Sequence, residues 1–413
     1  MMVSGMRSDS DTMNVLILGN GDEELAWARW LLGRDEYQLD AAFPGFVDPA
    51  LAGIPAPVDL DDALARVGID VVIVGGPLEL RGEALRRAAA EGFAVVCVHP
   101  PGLDSEAYYQ VALSREETGA TIVPDLPIRL HPGVIALRQA LSTGELGAFR
   151  ALRWEAPADP PGTDLVRVAF ARAVDVVRAL LGEIEALTAT GDPPGDEPEF
   201  ELVVHLRADE SRRAEVRLRS GAIEPARLTL LAANGSLTLE IDHGLRGLAR
   251  LIRHIPPKPP QVTEIATWDG HEAIFSVLLS SMGRHGGPDL PAPSLHDGTR
   301  AMELSEAAVR SLRRGRTVEL HYESISEEAT FKSVMTSTGC LILLALLFVL
   351  PLSMAGPSLG LKWTLFIPYL IPPVLILFVM LQTLRLVVRR SGTSLEGDRS
   401  DARKNRAKGD DLG

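Results

Sequence analysis

Residues 14–30 read Asn-Val-Leu-Ile-Leu-Gly-Asn-Gly-Asp-Glu-Glu-Leu-Ala-Trp-Ala-Arg-Trp, and this stretch decides the fold. Residues 15–18 are an unbroken apolar run, the pattern of a strand buried on both faces of a parallel sheet. Gly19-Asn20-Gly21 turns the chain sharply, and Leu25, Ala28 and Leu32 then recur at helical spacing. Strand, glycine turn and helix make the first unit of a doubly wound nucleotide-binding fold, whose helix-start N–H groups cradle a pyrophosphate. The dinucleotide fingerprint G-x-G-x-x-G is met at Gly19 and Gly21, but its third position is Glu24. A side chain there crowds helix against strand, and Asp22, Glu23 and Glu24 put three carboxylates where a diphosphate would sit. Acids also suit a helix N-terminus, so the same residues fit a well-capped helix that binds no ligand.

Outward from this unit the α/β alternation continues. Residues 37–43 read as a second strand, but no acid for a ribose hydroxyl closes it; the nearest beyond is Asp48. A short helix includes residues 63–67. Residues 70–77, Asp-Val-Val-Ile-Val-Gly-Gly-Pro, are a third buried strand running into a tight turn. A helix over 83–92 and a fourth strand over 93–98 follow, the strand ending at His99-Pro100-Pro101. Such alternation implies right-handed crossovers and a parallel sheet. Ligands of these folds lie at the carboxyl ends of the strands. Gly19, Asn20, Gly21, Gly76, Pro77, His99 and Pro100 are therefore the candidate cofactor-binding residues.

Composition sets outer limits. The 413 residues suffice for about two to three domains. A net charge of −14, with no basic tract before the C-terminal end, argues against a nucleic-acid partner. Cys97 and Cys340 lie far apart and suggest no disulfide framework. Residues 1–13 carry Asp9 and Asp11 and no apolar run, unlike a signal peptide. His271-Glu272 lacks a second histidine four residues on, and no metal site is expected.

Beyond residue 128 the pattern changes to strands with one long helix between them, over 165–181. Strands are expected at 149–155, 184–190, 199–206, 213–218, 227–232 and 236–241. Asn234-Gly235 joins the last two as a hairpin, and 191–198 and 255–260 are Pro- and Gly-rich loops.

The chain resembles the Gfo/Idh/MocA family of NAD(P)-dependent oxidoreductases. The resemblance lies in residues 15–21, 70–77, 97–100, Arg129-Leu130-His131-Pro132, Gly144-Glu145-Leu146-Gly147-Ala148-Phe149-Arg150, and the closing helix and strand over 297–320. It covers roughly residues 13–322. It implies a Rossmann-type domain (13–127) and an α+β domain with an open, mostly antiparallel sheet (128–325) that carries substrate and often the oligomer contact. It also implies NAD or NADP as cofactor and a sugar-like or cyclitol substrate.

The family's catalytic signatures are altered here. The resemblance implies a Glu-Lys-Pro turn after the fourth strand, where this chain has Val98-His99-Pro100. It also implies an Asp and, four residues on, a His, at positions held by Val168 and Arg172; only the downstream partner Asp175 remains. Neither valine nor arginine exchanges a proton near neutral pH. His99 is the remaining candidate acid/base, since imidazole titrates near neutrality; the competing reading makes it a strand-end residue bonded to backbone. His131, before a Pro-Gly turn, reads as structural. A catalytically inactive relative, serving as a ligand-sensing or scaffold module, is the alternative function.

Residues 333–361 and 363–384 contain no charged side chain, each close to the ~20 residues that cross a bilayer. Together they predict a transmembrane hairpin over 333–388, followed by a polar, disordered tail over 389–413. Lys332 precedes it, and Arg385, Arg389, Arg390, Arg403, Lys404, Arg406 and Lys408 follow it. The positive-inside rule places both ends, and the soluble domains, on the cytoplasmic face of the membrane.

Overall fold

In this computed structural model, residues 12–157, 165–191, 201–209, 211–219, 225–241, 248–283 and 292–320 are described. The expected hairpin (333–388) and tail (389–413) lie outside them. Among the described residues no helix is long and apolar enough to cross a membrane.

The first layer grows from β1 (Met13–Leu18), α1 (Asp22–Leu32), β2 (Tyr37–Phe43), α2 (Leu60–Leu64), β3 (Val71–Val74), α3 (Leu78–Ala90), β4 (Ala94–Val98), α4 (Glu106–Thr118) and β5 (Ile122–Asp125). Its five strands run parallel in the order β2-β1-β3-β4-β5. Period-2 alternation explains why both faces are buried. Val15 and Ile17 point into a core with Trp27, Trp30 and Phe275, while Leu16 and Leu18 point into another with Leu85, Tyr108 and Val111.

After α5 (Pro132–Thr143) the chain builds β6 (Phe149–Pro157), a π-helical turn (Leu165–Phe170) running into α6 (Ala171–Leu181), then β7 (Ala186–Gly191), β8 (Glu201–Arg207), β9 (Arg213–Arg219), β10 (Ala226–Ala232), β11 (Ser236–Ile241), β12 (Ala249–His254) and β13 (Gln261–Ile265). With β14 (Val318–Glu319) these strands order as β13-β12-β11-β10-β6-β9-β8-β7-β14. Every pair is antiparallel except β6 with β9. This is the expected architecture: a Rossmann-like parallel sheet followed by a mostly antiparallel one.

Two helices tie the layers together. Ile274, Phe275 and Leu278 of α7 (Gly270–Ser281) pack on the β1, β3 and β4 face of the first sheet, although α7 follows the second sheet in sequence. The 20-residue α8 (Leu295–Arg314) sends Met302 into the first-sheet core and Leu304 and Ala308 into the second. Both sheets accordingly fall in one compact unit, Met1–Tyr322. Strands β12 and β13 and helix α7 go beyond the elements expected from sequence.

Candidate functional site

The glycine turn between β1 and α1 lies where the fingerprint puts it. Gly19 has φ 128° and Gly76 φ 82°, backbone that side chains resist. The turn's donors are occupied from within. Gly21 N–H donates to Glu24 Oε2 at 2.7 Å and Gly76 N–H donates to Glu24 Oε1 at 3.1 Å. The first is the reach-back bond of a helix cap. The second is not, because Gly76 belongs to the turn after β3. Glu24 is only 2% exposed. Its counter-charge is Arg81, itself 7% exposed, with Nη2 3.8 Å from Oε1. The guanidinium also donates to the carbonyls of Gly76 (2.6 Å), Val98 (3.1 Å) and Pro100 (2.7 Å). One Glu–Arg pair thus joins the ends of β1, β3 and β4. A cofactor's diphosphate does not fit this loop as it stands, because the donors and cation it would use already face a carboxylate.

The residues singled out from the sequence fall in different places. Gly19, Gly21 and Gly76 surround Glu24, with Pro77 capping α3 and Pro100 lending Arg81 its carbonyl. Asn20 is exposed, its amide 3.5 Å from Gly45 O. His99 is fully buried, with Nδ1 3.1 Å from Tyr108 Oη and Nε2 without a partner. Burial first, then the nearby Arg172 and Arg81 charges, hold its pKa well below the usual range. The ring is neutral and does not line the cleft at the carboxyl end of β5. Asp48 is bonded to Arg29 at 2.7 Å and to Ala50 N–H, capping a short helical turn.

That cleft, about 590 Å³, opens where the carboxyl end of β5 meets α6 and the inner face of the second sheet. Trp27, Ile128, Trp154, Val168 and Leu218 give it apolar walls, and Asp22, Glu23, Asp125, Asp175 and Arg172 its charges. Arg172 is ion-paired to Glu23 and donates through Nε to His99 O at 3.0 Å. It therefore pins α6 to the rim of the first sheet. Asp175 is 3.0 Å from Arg129, which also holds Asp297 at 2.8 Å. Burial raises Asp175 against the pull of Arg129, whereas the hydrogen bond from Arg129 helps hold Asp297 low despite its own burial.

Asp125 is the group that sequence reasoning missed. Burial pushes its carboxyl up to about 6, while the Trp27 indole N–H, 3.0 Å from Oδ2, favours the charged form. A carboxyl poised there can take a proton from a hydroxyl in the cleft near neutral pH. Its place as last residue of a short buried strand was the available signal. The partnership with Trp27, 98 positions earlier, was not visible in sequence.

No protein-family profile matches the chain. It is 24% identical over 342 residues to inositol 2-dehydrogenase of Rhizobium meliloti (strain 1021), covering 75% of this chain and 99% of that one. It is 23% identical over 314 residues to inositol 2-dehydrogenase of Mycolicibacterium gilvum (strain PYR-GCK), covering 70% and 86%. Among solved structures, an inositol dehydrogenase homologue from Azotobacter vinelandii, complexed with NADH and myo-inositol, matches with TM-score 0.61 at 16% identity over 75% of this chain and 98% of that one. At that identity the structural likeness speaks for the fold. Together with the sequence relatives, at low identity, this shared fold supports reading the chain as a divergent relative of the Gfo/Idh/MocA oxidoreductases.

Proposed function

We propose that this protein is an oxidoreductase for a cyclitol or sugar-like polyol, held at the cytoplasmic face of a membrane by residues 333–388. The observation that carries the reading is the cleft at the end of β5, where a tryptophan pair and several carboxyl groups line one space. Indole faces suit the C–H side of a polyol ring, and carboxylates accept its hydroxyl hydrogens. A match that spans 75% of this chain and 99% of a protein named inositol 2-dehydrogenase supports the same substrate class. NAD or NADP is the cofactor that the family implies. Its diphosphate does not fit the loop while Glu24 closes it. Asp125 is the group assigned to receive the hydroxyl proton. The second sheet is the surface proposed for self-association.

A specific observation favours a second reading, the buried Glu24 in the cradle. Under it the fold serves as a ligand-sensing or scaffold module that binds polyol without turnover. One experiment separates the two. Full-length protein is given myo-inositol with NAD or NADP while reduced nicotinamide is followed, and its melting temperature is recorded with polyol alone. Turnover supports the first reading. A polyol-dependent rise in melting temperature without turnover supports the second. No response in either measurement refutes the polyol assignment.

A further inference from the structure

Gly19, Gly21 and Gly75 all abut one side chain, and it belongs to the protein itself. A Cβ on Gly19 would lie 2.8 Å from Glu24 Cγ, one on Gly21 2.8 Å from Oε2, and one on Gly75 would overlap Oε1 outright. The glycines that open a loop to a diphosphate here make room for a carboxylate. That carboxylate takes up two N–H groups from two different turns and sits beside a buried arginine. Two converging N–H donors and a guanidinium form an anion receptor. A plain helix cap would need only the first bond.

We propose that Glu24 is an internal surrogate for the cofactor's diphosphate, an autoinhibitory contact that any nicotinamide dinucleotide must displace. The inference rests on reading this loop as the dinucleotide site. In the closed arrangement the nucleotide loses twice: its donors are engaged, and its negative charge meets another at the same point. Displacing Glu24 also strips a charge from Arg81, whose remaining contacts are the carbonyls of Gly76, Val98 and Pro100. A phosphate oxygen could replace the carboxylate beside that guanidinium, so the exchange conserves the charge pairing. Removing the side chain instead leaves two donors and a cation facing vacated space. It also restores the small residue that the fingerprint places at this position.

The test is a fluorescence titration of NADH and NADPH on full-length wild type, Glu24→Gly and Glu24→Gln, with thermal melting to establish that each is folded. Glu24→Gly should bind at least about tenfold more tightly than wild type, the worth of about one charged hydrogen bond. Glu24→Gln should fall between them, because it keeps an acceptor oxygen but loses the charge. If Glu24→Gly does not fold, Glu24→Gln carries the comparison against wild type. Equal, tight binding by wild type and variants overturns the inference while leaving the dinucleotide reading intact. Folded variants that bind neither nucleotide at millimolar concentration overturn both.

Discussion

Asp125 sits at the end of β5 with its carboxyl pushed up to about 6 by burial, above the ~3.9 of an unfolded chain. An acid raised on folding binds its proton more tightly in the native state, so ionising it costs stability. The cost is absent below about pH 4, grows between about pH 4 and 6, and persists above that. Asp125→Asn removes the ionisation and keeps an acceptor for Trp27. The variant should match wild type at pH 4 and exceed it by about 1–3 kcal/mol at pH 7 in urea unfolding. A variant less stable than wild type at pH 7 would contradict the assignment. The crowding by Glu24 was legible in residues 22–24 alone. Its outcome was not, because Arg81 and Gly76 are brought to it only by the folding of β3 and α3. His99, the imidazole that sequence singled out, ends inside the protein because Tyr108 and Arg172 close over the end of β4.

At the scale of elements, the contact of α8 with α4 depends on a missing side chain. A Cβ on Gly298 would lie 2.8 Å from the Tyr108 ring, itself fully buried and 3.1 Å from His99. Gly298→Ala should therefore cost about 1–3 kcal/mol by overpacking, seen as a lower melting temperature. An unchanged melting temperature would mean that the helices separate freely. The strands most readable from sequence were those with strong local signals: β1 and β3 from apolar runs, and β10 and β11 from alternation around Asn234-Gly235. Strands β12 and β13 gave no such signal. They close one end of the second sheet, β13 as its edge strand and β12 next to it, with mostly exposed or half-buried side chains whose pattern hardly alternates. Helix α7 is nearly uniformly apolar over residues 273–279, and nothing local says that it returns to cover the first sheet.

For the whole molecule, the two sheets share one compact unit and a cleft between them. The order of strands and helices was enough to foresee this layered plan, because alternation and then its loss mark the change from parallel to antiparallel sheet. The proposed tether follows from two uncharged runs of near-bilayer length at 333–361 and 363–384. Full-length protein should accordingly stay with membranes through a carbonate wash, and a chain ending at residue 322 should not. Release of the full-length protein would contradict the tether.

The central claim, that Glu24 holds the donors of the glycine turn, is tested most directly by amide hydrogen exchange of Gly21 and Gly76, with Gly19 as internal control because its N–H donates to Phe43 O at 2.8 Å. Gly21 and Gly76 should be protected in the wild type and lose that protection in Glu24→Ala, while Gly19 keeps its own. Unprotected Gly21 and Gly76 in the wild type, or protection indifferent to the substitution, would contradict it.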